Sequence, residues 1–358
     1  MSTLRAGIVG GGFMAEVHSR AIRSARGVPA VLASSSPDRA RAAAERLGIE
    51  SAADDLDALL ADPSIDVVHV CTPNRLHLEQ ALAVIAAGKH VICEKPLATS
   101  ADDAERLADA AREAGVVATV PFVYRFHPMA REARARMASG DAGRLLTING
   151  SYLQDWLLTE TDDNWRVDDG LGGPSRAFAD IGSHLVDLTE FITGDRITRL
   201  LAVTRTVFDR RASSAAITTE DLAAVVVETA AGAVGTLLVS QVAPGRKNAL
   251  VLEVHGSAES LRFEQENPEQ LWIGRRRGSE LMLRNPEELG DEATRLSIIP
   301  SGHALGYQDA FNAFVADSHA AIRGELHEGL PVFDDGVRAA RITDAVLASA
   351  SSGTWAEI

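Results

Sequence analysis

Short runs that are apolar throughout alternate with helix-period stretches over the first 120 residues. The apolar runs stand at 4–9, 29–34, 66–71, 90–93 and 117–120, and Ala-, Glu- and Arg-rich stretches fill 13–25, 37–47, 75–87 and 100–114. Strands without polar alternation are buried on both faces, so the pattern predicts βαβ units on a parallel sheet. The stretch at 100–114 starts with Ser100 as an N-cap followed by acids, and Gly115 marks its end.

After about residue 122 the pattern changes. A helix is expected at 128–139, a strand at 145–155 and a helix at 180–193, then longer alternating segments at 198–208, 221–230, 234–243 and 249–255. Hairpins are expected around Ala231-Gly232 and around Gly256. Glycine-rich 168–174 and polar 285–295 read as loops, and helical stretches at 304–323 and 334–349 follow. The fold class is therefore α/β. A doubly wound parallel sheet over 1–122 precedes an α+β domain over 123–358 with a large, mostly antiparallel open sheet. A length of 358 residues fits two domains rather than one.

Composition narrows the partners. The formal net charge of −15 repels phosphate backbones and argues against nucleic acid as a partner. No apolar run is long enough to span a bilayer, and MSTLRAGIVGGG lacks the parts of a secretory signal. The expectation is a soluble cytoplasmic protein with no membrane partner. Cys71 and Cys93 each end an apolar run, with no C-x-x-C nearby. They read as buried, reduced thiols in adjacent strands rather than zinc ligands.

The most informative stretch is LRAGIVGGGFMAEVH at 4–18. A strand ends in Gly10-Gly11-Gly12 and a helix starts at Phe13, giving G-x-G-x-x-A with Gly10, Gly12 and Ala15. Such glycines let the backbone approach a pyrophosphate at a helix N-terminus, here with Phe13 and Met14 at its start. This is the dinucleotide-binding turn of a Rossmann fold, although similar turns also arise from packing alone. NAD-selective sites place an acid about 20 residues further on. Here Ser34 holds that position, within Ser34-Ser35-Ser36-Pro37-Asp38-Arg39. With no carboxylate to repel a 2′-phosphate, Ser34, Ser35 and Arg39 could hold one. NADP(H) is thus favoured over NAD(H), the alternative being that the serines only cap the next helix.

Open α/β sheets bind ligands beyond the carboxyl ends of their strands. Cys71-Thr72-Pro73-Asn74 with His77 follows one strand, and Glu94-Lys95-Pro96 follows another. Thr72, Pro73, Asn74, His77, Glu94 and Lys95 are therefore candidate cofactor contacts. Capping is the competing account of Thr72 and Asn74, and packing that of His77. An amine partly desolvated beside an oxidised nicotinamide suits Lys95 as general base for an alcohol proton. Asp180-Ile181-Gly182-Ser183-His184 places Asp180 and His184 on one helix face. The pair can bind a polyhydroxyl substrate and His184 can pass a proton. Alternatively, Asp180 is an N-cap and His184 is packed. No third ligand of suitable spacing accompanies them, so no metal is expected.

Taken in order, GGGFMA, CTPNRLH, EKP and DIGSH resemble the Gfo/Idh/MocA family of NAD(P)-dependent sugar and cyclitol oxidoreductases over essentially the whole chain. The resemblance implies a Rossmann domain and a second domain whose open sheet pairs subunits into homodimers or homotetramers. It implies Lys95, Asp180 and His184 as catalytic residues. Tyr124 and Arg125 of VYRF are implied to line the substrate pocket. Tyr152, Gln154 and Asp155 of YLQDW, with Trp165 and Arg166 of NWR, resemble the levoglucosan dehydrogenase-like branch; Trp156 reads as packing. Ser34-Ser35 instead resembles the NADPH-using 1,5-anhydrofructose reductases. The implied reaction is hydride transfer between a nicotinamide and a hydroxyl-bearing carbon of a sugar, anhydrosugar or cyclitol. The alternatives are a non-catalytic dinucleotide-binding regulator and an NAD-dependent glycoside-cleaving enzyme acting through transient oxidation.

Overall fold

The computed structural model describes residues 3–212 and 216–358. Two compact units are present, the first running to Val123 and also taking in Tyr307–Arg338, the second comprising Tyr124–Gly306 and Ala339–Ile358.

The first unit carries strands β1 (Arg5–Val9), β2 (Val28–Ala33), β3 (Ser51–Ala52), β4 (Val67–Val70), β5 (His90–Cys93) and β6 (Ala118–Thr119). Its helices are α1 (Phe13–Ser24), α2 (Pro37–Leu47), α3 (Leu56–Leu60), α4 (His77–Ala86) and α5 (Ala101–Ala114). The sheet is parallel, in the order β3-β2-β1-β4-β5-β6. β4 is buried at every position and β1, β2 and β5 at all but the first, as their unbroken apolar runs require. Strand order reverses between β1 and β4, so their carboxyl ends flank the crevice where such sheets bind ligands. The Ser100 side chain accepts the Asp103 N–H, and Gly115 closes α5 in the left-handed conformation at φ 65°. Cys93 is buried in β5 beside Val70, Cys71 lies just past β4, and both thiols are free.

The second unit carries α6 (Pro128–Ser139), β7 (Leu145–Leu153), α7 (Asp169–Gly172), α8 (Ser183–Thr193), β8 (Ile197–Arg205), β9 (Leu222–Thr229) and β10 (Val234–Ser240). They are followed by β11 (Ala249–Gly256), β12 (Ser260–Glu264), β13 (Gln270–Arg275), β14 (Gly278–Leu283) and α9 (Asp291–Leu296). With a last strand, β15 (Ala356–Glu357), they form a nine-stranded sheet in the order β14-β13-β12-β11-β7-β10-β9-β8-β15. Neighbours are antiparallel except β7 and β10. Helix α8 is buried from Ser183 to Ile192 and lies close on the sheet. A Cβ on Gly150 of β7 would come within 3.1 Å of the Leu185 side chain. Both expected hairpins form, the first turning at Gly232 with φ 84°.

Three expectations need correction. Residues 307–338 follow the second sheet in sequence yet pack with the first unit. Helix α10 (Tyr307–Ile322) sets Phe311 against His18 of α1, with ring centroids 4.7 Å apart, and Ser318 bonds Thr119 of β6 at 3.0 Å. Helical periodicity reveals an apolar face but not which sheet it covers. The closing helix α11 (Phe333–Ser352) carries the chain from the first unit into the second. β13 and β14 were not among the expected strands: β14 is an edge strand exposed at nearly every position and shows no alternation, whereas β13 does alternate, with Leu271 and Ile273 buried, and was overlooked. The loop expected at 285–295 holds most of α9, and the loop expected at 168–174 holds the short helix α7. Among the described residues no helix is long and apolar enough to cross a membrane.

Candidate active site

Gly10 leaves β1 at φ 108°, a conformation that disfavours side chains, and its N–H bonds the Ala33 carbonyl at 2.8 Å. A Cβ there would lie 2.6 Å from the Cys71 carbonyl oxygen. Gly12 occupies the N-cap of α1 without a side-chain cap, and a Cβ on it would meet nothing within 4 Å. The start of this 12-residue helix thus has neither a side-chain cap nor a neighbour crowding Gly12, and the unpaired N–H groups of a helix N-terminus favour an anion such as a pyrophosphate. Ala15 is fully buried, Met14 half-buried and Phe13 exposed. Arg46 of α2 donates to the Gly11 carbonyl at 2.7 Å and steadies the turn, a role the sequence pattern did not reveal. Gly10→Ala is expected to cost about 1–3 kcal/mol of stability and to weaken nucleotide binding at least about tenfold. Thermal melting and NADH or NADPH fluorescence titration check this; unaltered affinity would remove the turn from the binding site.

Beyond β2, Ser36 alone acts as the helix cap, accepting the Arg39 N–H. Ser35 is exposed and accepts from the Arg39 guanidinium at 3.1 Å, while Ser34 lies near the glycine turn. Asp38, the nearest acid, is exposed and paired with Arg41.

The β4 and β5 ends hold the two further motifs. Thr72 donates its hydroxyl to Gln80 at 2.6 Å. Pro73 is half-buried and Asn74 buried at the start of a short 3-10 turn. His77 is fully buried, its Nδ1 and Nε2 lying 2.8 and 2.9 Å from the Pro96 and Thr72 carbonyl oxygens. It is thus a clamp between the two loops rather than an open cofactor contact. Glu94 also turns inward, 3.0 Å from His18 Nε2. Both motifs were legible, but periodicity does not say which polar groups in a turn point inside. Lys95 is half-buried, one residue past Glu94.

In the second unit, Asp180 lies in a wide π-type turn, Phe178–Gly182, that runs into α8. Such turns are rare and recur at functional sites. Asp180 is not an N-cap: its own N–H bonds the Arg176 carbonyl at 2.8 Å. The capping group is Glu220, which accepts from Ser175 Oγ at 2.7 Å and from the N–H groups of Arg176 and Phe178 at 3.0 and 2.9 Å. The Asp180 carboxylate accepts from Gln241 at 2.9 Å and lies 3.5 Å from the Arg166 guanidinium. Arg166 in turn stacks on Trp165, 4.4 Å from the ring centroid. Two donors on one carboxylate fix its orientation without burying it fully.

His184 is buried, with its ring edge against Tyr124 at 4.9 Å. Tyr124, Tyr152 and Asn248 close a ring of hydrogen bonds. Tyr152 donates to Asn248 Oδ1 at 2.6 Å, Asn248 Nδ2 donates to the Tyr124 oxygen at 3.2 Å, and the two tyrosine hydroxyls bond each other. Gln154 donates to the same Asn248 oxygen at 2.8 Å and accepts from Trp156 at 2.7 Å. Trp156 packs on Leu157, Val167 and Ile217, as expected. Asn248 and Gln241 were missed because an amide in a strand or turn leaves no mark in a hydrophobic pattern. Two expected pocket residues are otherwise engaged. Arg125 is buried in a bidentate pair with Asp187, and Asp155 accepts from Lys247 and the Gly245 N–H at 2.7 and 3.0 Å.

A glycine cradle on one sheet and a braced Asp–His turn on another define a two-unit nucleotide-dependent oxidoreductase. Residues 4–122 match the oxidoreductase family with an NAD-binding Rossmann fold, and residues 130–262 match the GFO/IDH/MocA C-terminal domain. The chain belongs to the Gfo/Idh/MocA oxidoreductase family. It is 31% identical to levoglucosan dehydrogenase of Pseudarthrobacter phenanthrenivorans, covering 100% of this chain and 99% of that one. A solved levoglucosan dehydrogenase in complex with NADH and L-sorbose is 32% identical, with a TM-score of 0.93 over 100% of this chain and 99% of that one. An inositol dehydrogenase homologue from Azotobacter vinelandii, complexed with NADH and myo-inositol, is 26% identical, with a TM-score of 0.87 over 100% and 98%.

Proposed function

We propose that this NAD(P)-dependent oxidoreductase oxidises or reduces a hydroxyl-bearing carbon of a pyranose-like sugar, anhydrosugar or cyclitol. The observation that carries this reading is the Asp180–His184 turn, braced by Arg166, Gln241 and the Glu220 cap, in a chain that also holds the glycine cradle and Lys95. When bound, NAD(P) supplies the hydride acceptor or donor. Gly10, Gly12, Phe13 and Met14 hold its pyrophosphate, and Thr72, Pro73 and Asn74 border it. Lys95 and His184 handle the hydroxyl proton, and either can polarise a carbonyl oxygen in the reverse direction. Asp180 orients the substrate hydroxyls, with Tyr124, Tyr152, Gln154, Trp165 and Arg166 as further sugar contacts.

The cofactor preference is proposed to be NADP(H). Ser34 and Ser35 supply hydroxyl donors, Arg39 bonded to Ser35 supplies charge, and the nearby Asp38 is neutralised by Arg41. Ser34→Asp is expected to weaken NADPH binding at least about tenfold while sparing NADH, as a carboxylate against a phosphate demands. Paired fluorescence titrations check this, and tight NAD binding with negligible NADP binding by the parent chain would overturn the preference.

The substrate class is tested by following nucleotide reduction with levoglucosan, myo-inositol, D-glucose and D-xylose, and oxidation with L-sorbose. Turnover of at least one supports the reading. Bound nucleotide without any redox change would favour a regulator, and glycoside cleavage without net NADH would favour the third reading. We further propose a cytoplasmic homo-oligomer, with fractionation as the check on location. Val203, Ala224 and Leu238 align across β8, β9 and β10 as an exposed apolar strip suited to pairing of copies. Sedimentation equilibrium would reveal a monomer if this is wrong.

A further inference from the structure

A buried chain of histidines ends on the turn that carries Lys95. His69 on β4 and His18 on α1 lie with their Nδ1 atoms 2.7 Å apart. His18 Nε2 is 3.0 Å from Oε1 of Glu94, and Glu94 Oε2 accepts the backbone N–H of Lys95 at 3.2 Å. Both rings are fully buried, and Glu94 is 6% exposed. The ring of Phe311 closes one side of His18, and His319 stands 6.2 Å from His69. Neither His18 nor His69 belongs to the glycine turn or to the proton-handling set, yet together they end on the residue before Lys95.

The proton positions follow from the end of the chain. A carboxylate only accepts, so His18 donates from Nε2. Two Nδ1 atoms at hydrogen-bond distance share a single proton. Were His18 doubly protonated, His69 would accept at Nδ1 and carry a hydrogen on Nε2. That nitrogen has no hydrogen-bond partner among the described residues. A buried charge plus an orphaned N–H costs more than a bare ring nitrogen. His69 therefore carries its hydrogen on Nδ1 and His18 on Nε2. Burial, followed by the neighbouring His18 ring, holds the His69 pKa well below its usual value, consistent with a neutral ring.

We propose that His69 and His18 are positioning residues. They form a directed chain, His69 to His18 to Glu94, that fixes the Glu94 carboxylate and through it the backbone of Lys95. This rests on the reading of Lys95 as a proton-handling group. The physical reason is leverage, since displacing a reacting group by about 1 Å costs about 100-fold in rate. A carboxylate gripped at both oxygens resists such displacement. A neutral grip matters as well, because the chain adds orientation without adding a positive charge beside the lysine.

The test has two arms. In the first, nitrogen-15 histidine NMR of the full chain reads the tautomers directly. His69 is expected protonated at Nδ1 and His18 at Nε2; both rings protonated at Nε2, or a charged His18, would overturn the assignment. In the second, turnover with levoglucosan and the tighter-binding nucleotide is compared among His69→Phe, His69→Asn, Glu94→Gln and Lys95→Met. His69→Phe keeps ring volume but loses the donor, and is expected to lower kcat about tenfold with KM and nucleotide Kd within about twofold. His69→Asn keeps an N–H at the Nδ1 position and is expected to recover kcat to within about threefold of the parent. Glu94→Gln keeps only one of the two acceptor oxygens, so it cannot serve both the His18 Nε2–H and the Lys95 N–H; it should resemble His69→Phe, which covers the case of one variant failing to fold. A packing role alone predicts the reverse order, with Phe tolerated and Asn harmful, and would sink the proposal. If Lys95→Met is as active as the parent, the lysine reading fails instead. An inactive Lys95→Met alongside unaffected histidine and Glu94 variants refutes the positioning chain alone.

Discussion

Replacing Lys95 with methionine is expected to lower kcat on the preferred sugar by about 10²–10⁴-fold, the range typical of a lost general acid–base group. Nucleotide affinity should stay within about threefold, because the pyrophosphate is proposed to sit on the glycine cradle rather than on the lysine. Methionine matches the length of the stem and removes only the amine. Stability should change little, since the side chain is half-buried. The measurement pairs stopped-flow turnover with a nucleotide titration on the same variant. A loss confined to KM would make Lys95 a binding group only, and near-parent kcat would withdraw it from the chemistry.

The second large effect concerns stability. Asp221 is fully buried between two equally buried arginines. Its carboxylate accepts from Arg176, from Arg211 at 2.8 Å, and from the Val207 and Phe208 N–H groups at 2.6 and 3.1 Å. Burial pushes the Arg176 pKa down, while the Asp221 charge pushes it back up. Asp221→Ala would remove this counter-ion from two buried guanidinium groups, which keep only backbone carbonyl bonds, and would leave two backbone donors without their acceptor. A loss of about 3–5 kcal/mol is expected, as for other buried pairs broken on one side. Urea denaturation of the two forms checks it, and a loss under about 1 kcal/mol would mean that water or rearrangement reaches the arginines readily. Activity should fall as well, because the neighbouring Glu220 caps the turn that presents Asp180.

Much of this architecture was legible in the chain. Unbroken apolar runs announce buried parallel strands, and glycines at positions 10 and 12 announce a close backbone approach, because few other arrangements satisfy those residues. Ser100 and Gly115 bound α5 where their capping chemistry places them. Legibility weakened where structure depends on partners distant in sequence. The edge strand β14 has no buried face to produce alternation. Asp180 read as either an N-cap or a substrate contact, and Glu220, 40 residues later, turned out to hold the capping role. His77 and Glu94 stood among the expected cofactor contacts, yet both point inside.

The sequence alone determined the parallel first sheet, the antiparallel character of the second, the glycine turn and the motifs carrying Lys95, Asp180 and His184. Each of these follows from local chemistry, from periodicity, backbone freedom or short-range spacing. Only the tertiary structure decided that α10 covers the first sheet, that Asn248 closes the tyrosine ring, and that His18 and His69 end on Glu94. Those are pairings between distant segments, and a polar side chain in a pattern of apolar positions carries no record of the partner that folding will bring to it.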